Sequence, residues 1–441
     1  MRVASREVGC AAVLGYGRTG RAVTEFLLAQ GVIPFVSEAG SLSPSDREWL
    51  ASRGATFEAG GHTARVLEGF DLVVPSPGVP WSLPLLAEAR RRGILTLSEL
   101  DLSCLLLPPS RRVVAVTGTK GKGTTAELIA ALLRREGIEA LVAGNIGLPV
   151  VSIIDRVKPA DVLVLEVSSF QLEQSQFVHP RVAVLTNLSP DHVDRHPTWD
   201  TYVAAKGRIF RHLGPGDTAV LPSFLEPLYP EIRARRIFFD RLDLPSLPFF
   251  DRLPPHNQEN LRAAIAACTA LVTSFDPSTV RFAEIQGAFL LPFRLHEEGT
   301  LNGTRVVNDA KSTNAASTVA ALASFVEPVV LILGGRHKQS GYDRLARAIA
   351  ERSVKCTCLY GEAASFLERA LEEEGCTRIV VCENLTQAFQ AAQAAACPGD
   401  VLLFSPACSS FDQYTDAHER GEAFSQLVRS QPSFSPLTND S

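Results

Sequence analysis

The sequence has no C-x-x-C pair, no internal repeat, and no apolar run that approaches the length of a membrane-crossing helix. Each absence excludes something. Without paired cysteines at that spacing, zinc knuckles and thioredoxin-type redox sites are not expected. Without a repeat, a solenoid is excluded. Without roughly 18 consecutive apolar residues there is no spanning helix. The first residues also lack an apolar stretch followed by a cleavage site, so neither a signal peptide nor an anchor is expected. Charge of one sign is scarce too: Lys plus Arg is 43, Asp plus Glu is 48, and 43 − 48 = −5 with His neutral. That balance fits neither a basic nucleic-acid coat nor an acidic disordered tail, so no nucleic-acid and no membrane partner is expected. The nine cysteines (Cys10, Cys104, Cys268, Cys356, Cys358, Cys376, Cys382, Cys397 and Cys408) are odd in number and irregular in spacing. They read as buried free thiols, which places the chain in a reducing, cytoplasmic compartment.

What is present is an α/β pattern. The 441 residues are 46% hydrophobic and 21% charged, and at about 150 residues per domain they make about three domains. Short apolar runs alternate with longer amphipathic stretches, the signature of parallel strands covered by helices. The expected division is 1–108, 109–293 and 294–441, with a linker at Pro108-Pro109-Ser110. In the first block, strands are expected at Val8–Leu14, Val32–Ser37 and Phe70–Val74. In the second they are expected at Arg112–Thr117, Val162–Val167 and Val182–Thr186, with a helix at Thr124–Arg135. Leu221–Pro255, rich in proline and aromatics, resists assignment. The third block alternates strands at Arg305–Val307, Val329–Leu333, Cys356–Tyr360, Arg378–Cys382 and Val401–Phe404 with helices at 314–325, 342–352, 362–374 and 385–396. The tail from Ser430 is expected to fray.

Two glycine-rich turns follow strands and precede helices. Gly15-Tyr16-Gly17-Arg18-Thr19-Gly20 lets backbone approach a diphosphate at a helix N-terminus. By itself it does not separate a nicotinamide cofactor from another nucleotide. Glu38 lies where an acid meets a ribose hydroxyl, and Ser76-Pro77-Gly78 ends a later strand on the same rim. The second turn, Gly118-Thr119-Lys120-Gly121-Lys122-Gly123-Thr124-Thr125, offers N–H groups for β- and γ-phosphates, Lys122 as a fixed charge, and Thr124 or Thr125 for Mg²⁺. It departs from the standard P-loop at Val116 and Gly123. Two further strands of this block end in polar groups: Val162–Val167 carries Glu166, and Val182–Thr186 runs into Asn187 and then Asp191-His192. Ligands bind outside the carboxyl ends of strands in such sheets, so Lys122, Glu166 and His192 are expected to converge. Glu166 is a hard oxygen ligand suited to Mg²⁺. Three polar loops end strands of the third block: Asn308–Asn314, Gly334–Lys338 and Ser405–Ser410. Their cations and hydroxyls suit an anionic substrate.

These residues together resemble the Mur ligase family, and within it the type that adds D-glutamate to UDP-N-acetylmuramoyl-L-alanine in peptidoglycan synthesis. The resemblance is carried by Glu166-Val167-Ser168-Ser169-Phe170-Gln171-Leu172, Asp191-His192-Val193-Asp194-Arg195, Asn308-Asp309-Ala310-Lys311-Ser312-Thr313-Asn314 and Ser405-Pro406-Ala407-Cys408-Ser409-Ser410-Phe411-Asp412-Gln413-Tyr414, in that order along nearly the whole chain. It implies three α/β domains: an N-terminal Rossmann-like domain, a central P-loop ATPase-like parallel sheet and a C-terminal Rossmann-like domain. It implies an ATP-dependent amide ligase working through an acyl phosphate, as a cytoplasmic monomer. The first glycine turn, with Glu38, Ser76, Pro77 and Gly78, would hold UDP. Asn145, Ser168 and Gln171 would contact the muramoyl substrate. Residues 118–125 with Asn257, Asn260, Arg294 and Asp309 would handle ATP. Glu166, His192 and Thr124 would serve two Mg²⁺ ions, and Lys206 would be carbamylated to bind one of them. Lys311, Thr313, Lys338, Ser410 and Phe411 would face glutamate. A folylpolyglutamate-type ligase is the alternative that the second glycine loop itself resembles.

Overall fold

The computed structural model describes residues 1–108, 112–158, 161–192, 195–289, 292–337, 342–352 and 354–436. It divides into two compact units, Met1–Phe289 and Leu290–Ser441. The first unit contains two parallel sheets and a short ribbon pairing Arg2–Val3 with Arg6–Glu7. The first sheet comprises β1 (Cys10–Leu14), β2 (Ile33–Glu38), β3 (Thr56–Ala59), β4 (Leu72–Pro75) and β5 (Leu95–Thr96), in the order β3-β2-β1-β4-β5. Chain order reverses beside β1, which leaves a crevice at its carboxyl end, where the first glycine turn begins. The second sheet comprises β6 (Arg112–Thr117), β7 (Ala140–Gly144), β8 (Val162–Glu166), β9 (Val182–Leu185), β10 (Thr218–Leu221) and β11 (Arg235–Phe238), in the order β11-β10-β9-β6-β8-β7. Here β6 is central, between β9 and β8. Val114, Val116, Val162, Val164, Val182 and Val184 point to one face, where the helices Lys122–Arg135 and Pro255–Leu271 cover them. Leu163, Leu165, Ala183 and Leu185 point to the other. A strand buried on both faces needs apolar residues at every position, which is why these runs do not alternate.

Buried carboxylates join the two sheets of this unit. Both belong to the helix Glu99–Leu106. Glu99 accepts from the Val151 N–H at 2.8 Å, and Asp101 accepts from Gln176 N–H at 2.7 Å, Phe177 N–H at 2.9 Å and the Ser175 hydroxyl at 2.9 Å. Burial pushes both carboxyls above the usual range, and these hydrogen bonds oppose that.

The second unit has one mixed sheet: β12 (His296–Leu301), β13 (Thr304–Asn308), β14 (Val329–Gly334), β15 (Cys356–Tyr360), β16 (Ile379–Cys382), β17 (Val401–Ala407) and β18 (Phe434–Pro436), in the order β16-β15-β14-β17-β13-β12-β18. The five strands β13 to β17 run parallel, and β12 is antiparallel to both of its neighbours.

Several expectations are corrected. The tail does not simply fray at Ser430: Phe434–Pro436 pairs with Gly299–Leu301, and a Cβ on Gly299 would run into the Ser435 carbonyl. Leu221–Pro255 resolves into the end of β10, the edge strand β11 and short 3-10 turns. Buried free thiols describe only Cys268, Cys356, Cys358 and Cys408; Cys397 is exposed and the other four are half-buried. Most of the expected linker, Pro109 and Ser110, lies outside the described residues, as does Lys338. Among the described residues no helix is long and apolar enough to cross a membrane.

Candidate active site

The second glycine loop leaves β6 and enters the helix Lys122–Arg135. Gly118 and Gly121 have positive φ (149° and 76°), which favours glycine at both positions. Space demands the same: a Cβ on Gly118 would strike the Thr186 hydroxyl, and one on Gly121 would strike the Asn260 side chain. Gly121 starts the helix without a side-chain cap, so the first N–H groups keep their capacity for an anion. The next strand holds the loop in shape. Thr119 N–H donates to the Asn187 carbonyl at 3.0 Å, Lys120 N–H to Asn187 Oδ1 at 2.9 Å, and the Thr186 hydroxyl to the Lys120 carbonyl at 2.6 Å. Lys122 Nζ reaches the Thr119 carbonyl at 3.0 Å. Asn260 comes against the loop from the helix Pro255–Leu271, taking the Thr125 hydroxyl at 3.4 Å and donating to Asn257 Oδ1 at 3.3 Å. Thr125 is buried against Asn260 and Thr124 is half-buried, so of the two hydroxyls Thr124 suits a ligand role better.

Glu166 ends β8, beside β6. It is 2% exposed. Oε1 accepts from Asn145 Nδ2 at 2.9 Å, while Oε2 is buried and takes no hydrogen bond among the described residues. A buried carboxylate oxygen without a partner is costly, and a cation supplies the missing interaction. The residues therefore fit Mg²⁺ on chemistry: a hard, unpaired oxygen next to a phosphate-shaped loop.

Lys206 is also 2% exposed, on the helix Trp199–Gly207. Its Nζ donates to the Gly118 carbonyl at 2.6 Å and lies 4.9 Å over the Tyr202 ring. Burial first, and the charge of Lys122 second, hold its amine well below the ordinary lysine value, although Asp191 and Glu166 pull the other way. Its field thus ties together Lys122, Glu166 and Asp191. Tyr202 contacts the Thr119 hydroxyl at 3.0 Å. His192 has φ of 54° and contacts the Phe170 ring edge-on at 4.8 Å. Phe170 follows Ser168, whose hydroxyl and N–H form a capping box with Gln171.

The first glycine turn is built differently. Ser76 Oγ donates to the Gly15 carbonyl at 2.9 Å, and a Cβ on Gly20 would run into that same carbonyl. Glu38 takes the Tyr16 N–H at 2.6 Å and the Gly40 N–H at 2.8 Å, so it shapes the turn itself. Thr19 stands in the first turn of the helix Arg18–Ala29. Arg18 reaches the Gly147 and Asn145 carbonyls, both at 3.0 Å, joining this turn to the Asn145–Glu166 pair. The Ser76–Gly78 loop is held by residues that follow strands of the second sheet, Gln174 Nε2 on the Ser76 carbonyl at 3.2 Å and Arg195 on the Gly78 carbonyl at 3.4 Å.

In the second unit the three polar loops gather at the carboxyl ends of β13, β14 and β17. Asp309 is buried; burial raises its carboxyl, opposed by hydrogen bonds including those from Ser405 Oγ (2.7 Å) and Leu295 N–H (3.1 Å), and by the charge of exposed Arg294. Lys311 and Thr313 are half-buried, Ser410 is buried and Phe411 is 56% exposed. One residue that sequence reasoning missed holds these loops: Arg420, fully buried on the helix Ala417–Arg429. It donates to the Ala310 carbonyl at 2.9 Å and the Gly334 carbonyl at 3.5 Å. A lone arginine in a helical stretch carries no signal in one sequence. Asn187 and Thr186 were missed for a similar reason.

Family models match three stretches: Mur ligase MurD-like, N-terminal domain over residues 10–98; Mur ligase middle domain over 116–230; and Mur ligase, glutamate ligase domain over 293–408. Over 454 aligned residues the chain is 36% identical to the UDP-N-acetylmuramoylalanine--D-glutamate ligase of Pelotomaculum thermopropionicum, covering 95% of this chain and 97% of that one. The chain belongs to the Mur ligase family. Solved Mur ligases share the fold. MurC, the UDP-N-acetylmuramate-alanine ligase of Thermotoga maritima, is similar at a TM-score of 0.59 with 19% identity, over 96% of this chain and 100% of that one. MurF ligase of Thermotoga maritima, solved in complex with ADP, is similar at 0.55 with 16% identity, over 90% and 96%. The mixed α/β architecture expected of a Mur ligase is thus borne out.

Proposed function

We propose that this Mur ligase joins D-glutamate to UDP-N-acetylmuramoyl-L-alanine at the expense of ATP, in peptidoglycan synthesis. The observation that carries the chemistry is the buried, half-satisfied Glu166 carboxylate beside a glycine loop that bears Lys122 and faces Lys206. The substrate assignment rests on the full-length relative named for that reaction. The division of labour follows domains 1–108, 109–293 and 294–441. The chain acts as a cytoplasmic monomer.

A carboxylate does not react with an amine unaided. The alanyl carboxylate oxygen attacks the γ-phosphorus of ATP, the bond to the bridging oxygen breaks, and ADP leaves. The glutamate amine then attacks the acyl carbon. The C–N bond forms, the C–O bond to phosphate breaks, and the amine proton passes to solvent. In this scheme Lys122 and the N–H groups of 118–125 neutralise charge on the transferring phosphoryl group. Asn257, Asn260, Arg294 and Asp309 position the nucleotide. Glu166, His192 and Thr124 would hold two Mg²⁺ ions, which would screen the phosphate charge. Lys206, whose amine burial holds well below the ordinary lysine value, has in its unprotonated form a lone pair for carbon dioxide: the N–C bond forms, a proton leaves, and the resulting carbamate would add a carboxylate ligand. Its remaining N–H still has the Gly118 carbonyl to donate to. Gly15, Gly17, Arg18, Thr19, Gly20, Ser76, Pro77 and Gly78 hold UDP, in a turn that Glu38 shapes. Asn145, Ser168 and Gln171 orient the muramoyl-alanine. Lys311, Thr313, Lys338, Ser410 and Phe411 receive glutamate.

The test is phosphate release by the purified protein. Release that depends jointly on UDP-N-acetylmuramoyl-L-alanine and D-glutamate is expected, with L-glutamate much poorer. Release that ignores either substrate, or equal turnover with a folate acceptor, would refute the reading.

A further inference from the structure

Beyond the first glycine turn stands a cluster that the scheme above does not use. Ser37, fully buried, lies near the carboxyl end of β2, and its carbonyl accepts from Gly15 N–H at 2.8 Å. Its hydroxyl is 2.7 Å from Glu58 Oε1 and 2.8 Å from His62 Nδ1. Serine, histidine and glutamate in contact suggest a hydrolytic triad, but the order is wrong. The carboxylate touches the serine and not the imidazole, and the serine is out of reach of any substrate.

The proton count points elsewhere. Glu58 also takes Thr63 N–H at 2.9 Å and the Thr63 hydroxyl at 2.6 Å. Although burial pushes its carboxyl up, these hydrogen bonds and the one from Ser37 hold it below the usual range, so it is ionised and accepts only. Ser37 must then give its one hydroxyl proton to Glu58. His62 Nδ1 must in turn be the donor to Ser37 Oγ. Burial lowers the imidazole against the pull of Glu38 and Glu58, which leaves the ring neutral. A neutral ring with its proton on Nδ1 has a bare Nε2. Among the described residues, no hydrogen bond reaches that nitrogen. The Gly60–His62 segment folds back onto β2, with Gly61 N–H on the Glu38 carbonyl at 3.3 Å.

We propose that His62 binds the nucleoside of the UDP-linked substrate, with Nε2 accepting a hydrogen bond in a tautomer imposed by Ser37 and Glu58. This rests on the reading that the first sheet holds UDP. The donor is the N3–H of uracil or a ribose hydroxyl, both of which present a proton to a bare nitrogen.

Calorimetric titration of the full chain with UDP, CDP and 2′-deoxy-UDP tests it. His62→Ala should bind UDP about tenfold more weakly than wild type. KM for UDP-N-acetylmuramoyl-L-alanine should rise similarly, with kcat and KM for ATP unchanged. His62→Gln, whose amide oxygen accepts, should recover most of the affinity. If the alanine variant loses the preference for UDP over CDP, the base is the donor; if it loses the preference for UDP over 2′-deoxy-UDP, the ribose is. UDP binding by His62→Ala equal to that of wild type overturns the proposal while leaving the UDP reading intact. So does nitrogen-15 resonance evidence for a proton on Nε2. A wild-type protein that does not bind UDP at all removes the UDP reading, and the proposal with it.

Discussion

The first unit contains the same backbone device twice, and its two versions differ in charge. Both glycine turns follow a central parallel strand and open a helix without a side-chain cap. Around Gly118–Gly123 the neighbours are Lys122, Lys206, Asn187 and Asn260, with one partnerless carboxylate oxygen on Glu166. Around Gly15–Gly20 they are Ser76, Glu38 and Arg18; Arg18 is turned to the Gly147 and Asn145 carbonyls, and Glu38 already takes the Tyr16 N–H. On the proposed reading the second turn gathers phosphate charge and metal. The first has one of its amides filled by an acid and suits a nucleotide that is held but not cleaved. A glycine pattern sets the shape of an anion site, while its neighbours from other strands set what is done there.

Substitutions can break this contrast, and the largest effect is expected at Lys122. Lys122→Ala should lower D-glutamate-dependent phosphate release about a thousandfold, while UDP titration stays unchanged. A loss of UDP affinity there would mean that the two turns are not separate sites. Lys206→Met should lose about a hundredfold in turnover, yet fold well. An amine with a depressed folded pKa binds fewer protons folded than unfolded, so in buffer freed of carbon dioxide, where Lys206 is not carbamylated, wild-type stability rises with pH between the folded value and the ordinary lysine value. The methionine variant should lack that slope and be no less stable at neutral pH, as measured by denaturant titration across pH. Gly20→Ala and Gly118→Ala form a matched pair, each driving a Cβ into a neighbour. Each should cost about 2 kcal/mol of stability, but the first should weaken UDP alone and the second ATP alone. The smallest effect is expected at Glu38. Glu38→Gln keeps an acceptor for Tyr16 N–H but loses the charge, so urea denaturation should show a loss of about 1 kcal/mol, with UDP affinity within threefold of wild type.

Strands buried on both faces were legible in the sequence almost to the residue, as at Arg112–Thr117 and Cys356–Tyr360. Edge strands were less so: Ile379–Cys382 was expected, but others were not. Arg235–Phe238 begins with two arginines, and Phe434–Pro436 contains serine and proline, because an edge has one face or one side open to water. Pairing with a distant strand, not local composition, makes them strands. The site shows the same division. Lys122, Glu166 and the glycines announce themselves by type and spacing. Arg420, Asn187 and His62 act through carbonyls and hydroxyls far away in sequence, and nothing in their own neighbourhood marks them.

By itself, then, the amino-acid order determined the parallel α/β architecture, the two anion-shaped turns and the family, since apolar runs and glycine spacing act over a few residues. The tertiary structure alone decided which neighbour each turn received: the buried amine of Lys206 on the Gly118 carbonyl, the Glu166 oxygen that takes no hydrogen bond among the described residues, and the contact of Ser37 with both His62 and Glu58. Those properties are set by burial and by hydrogen-bond geometry between strands, and they exist only once the sheets have formed.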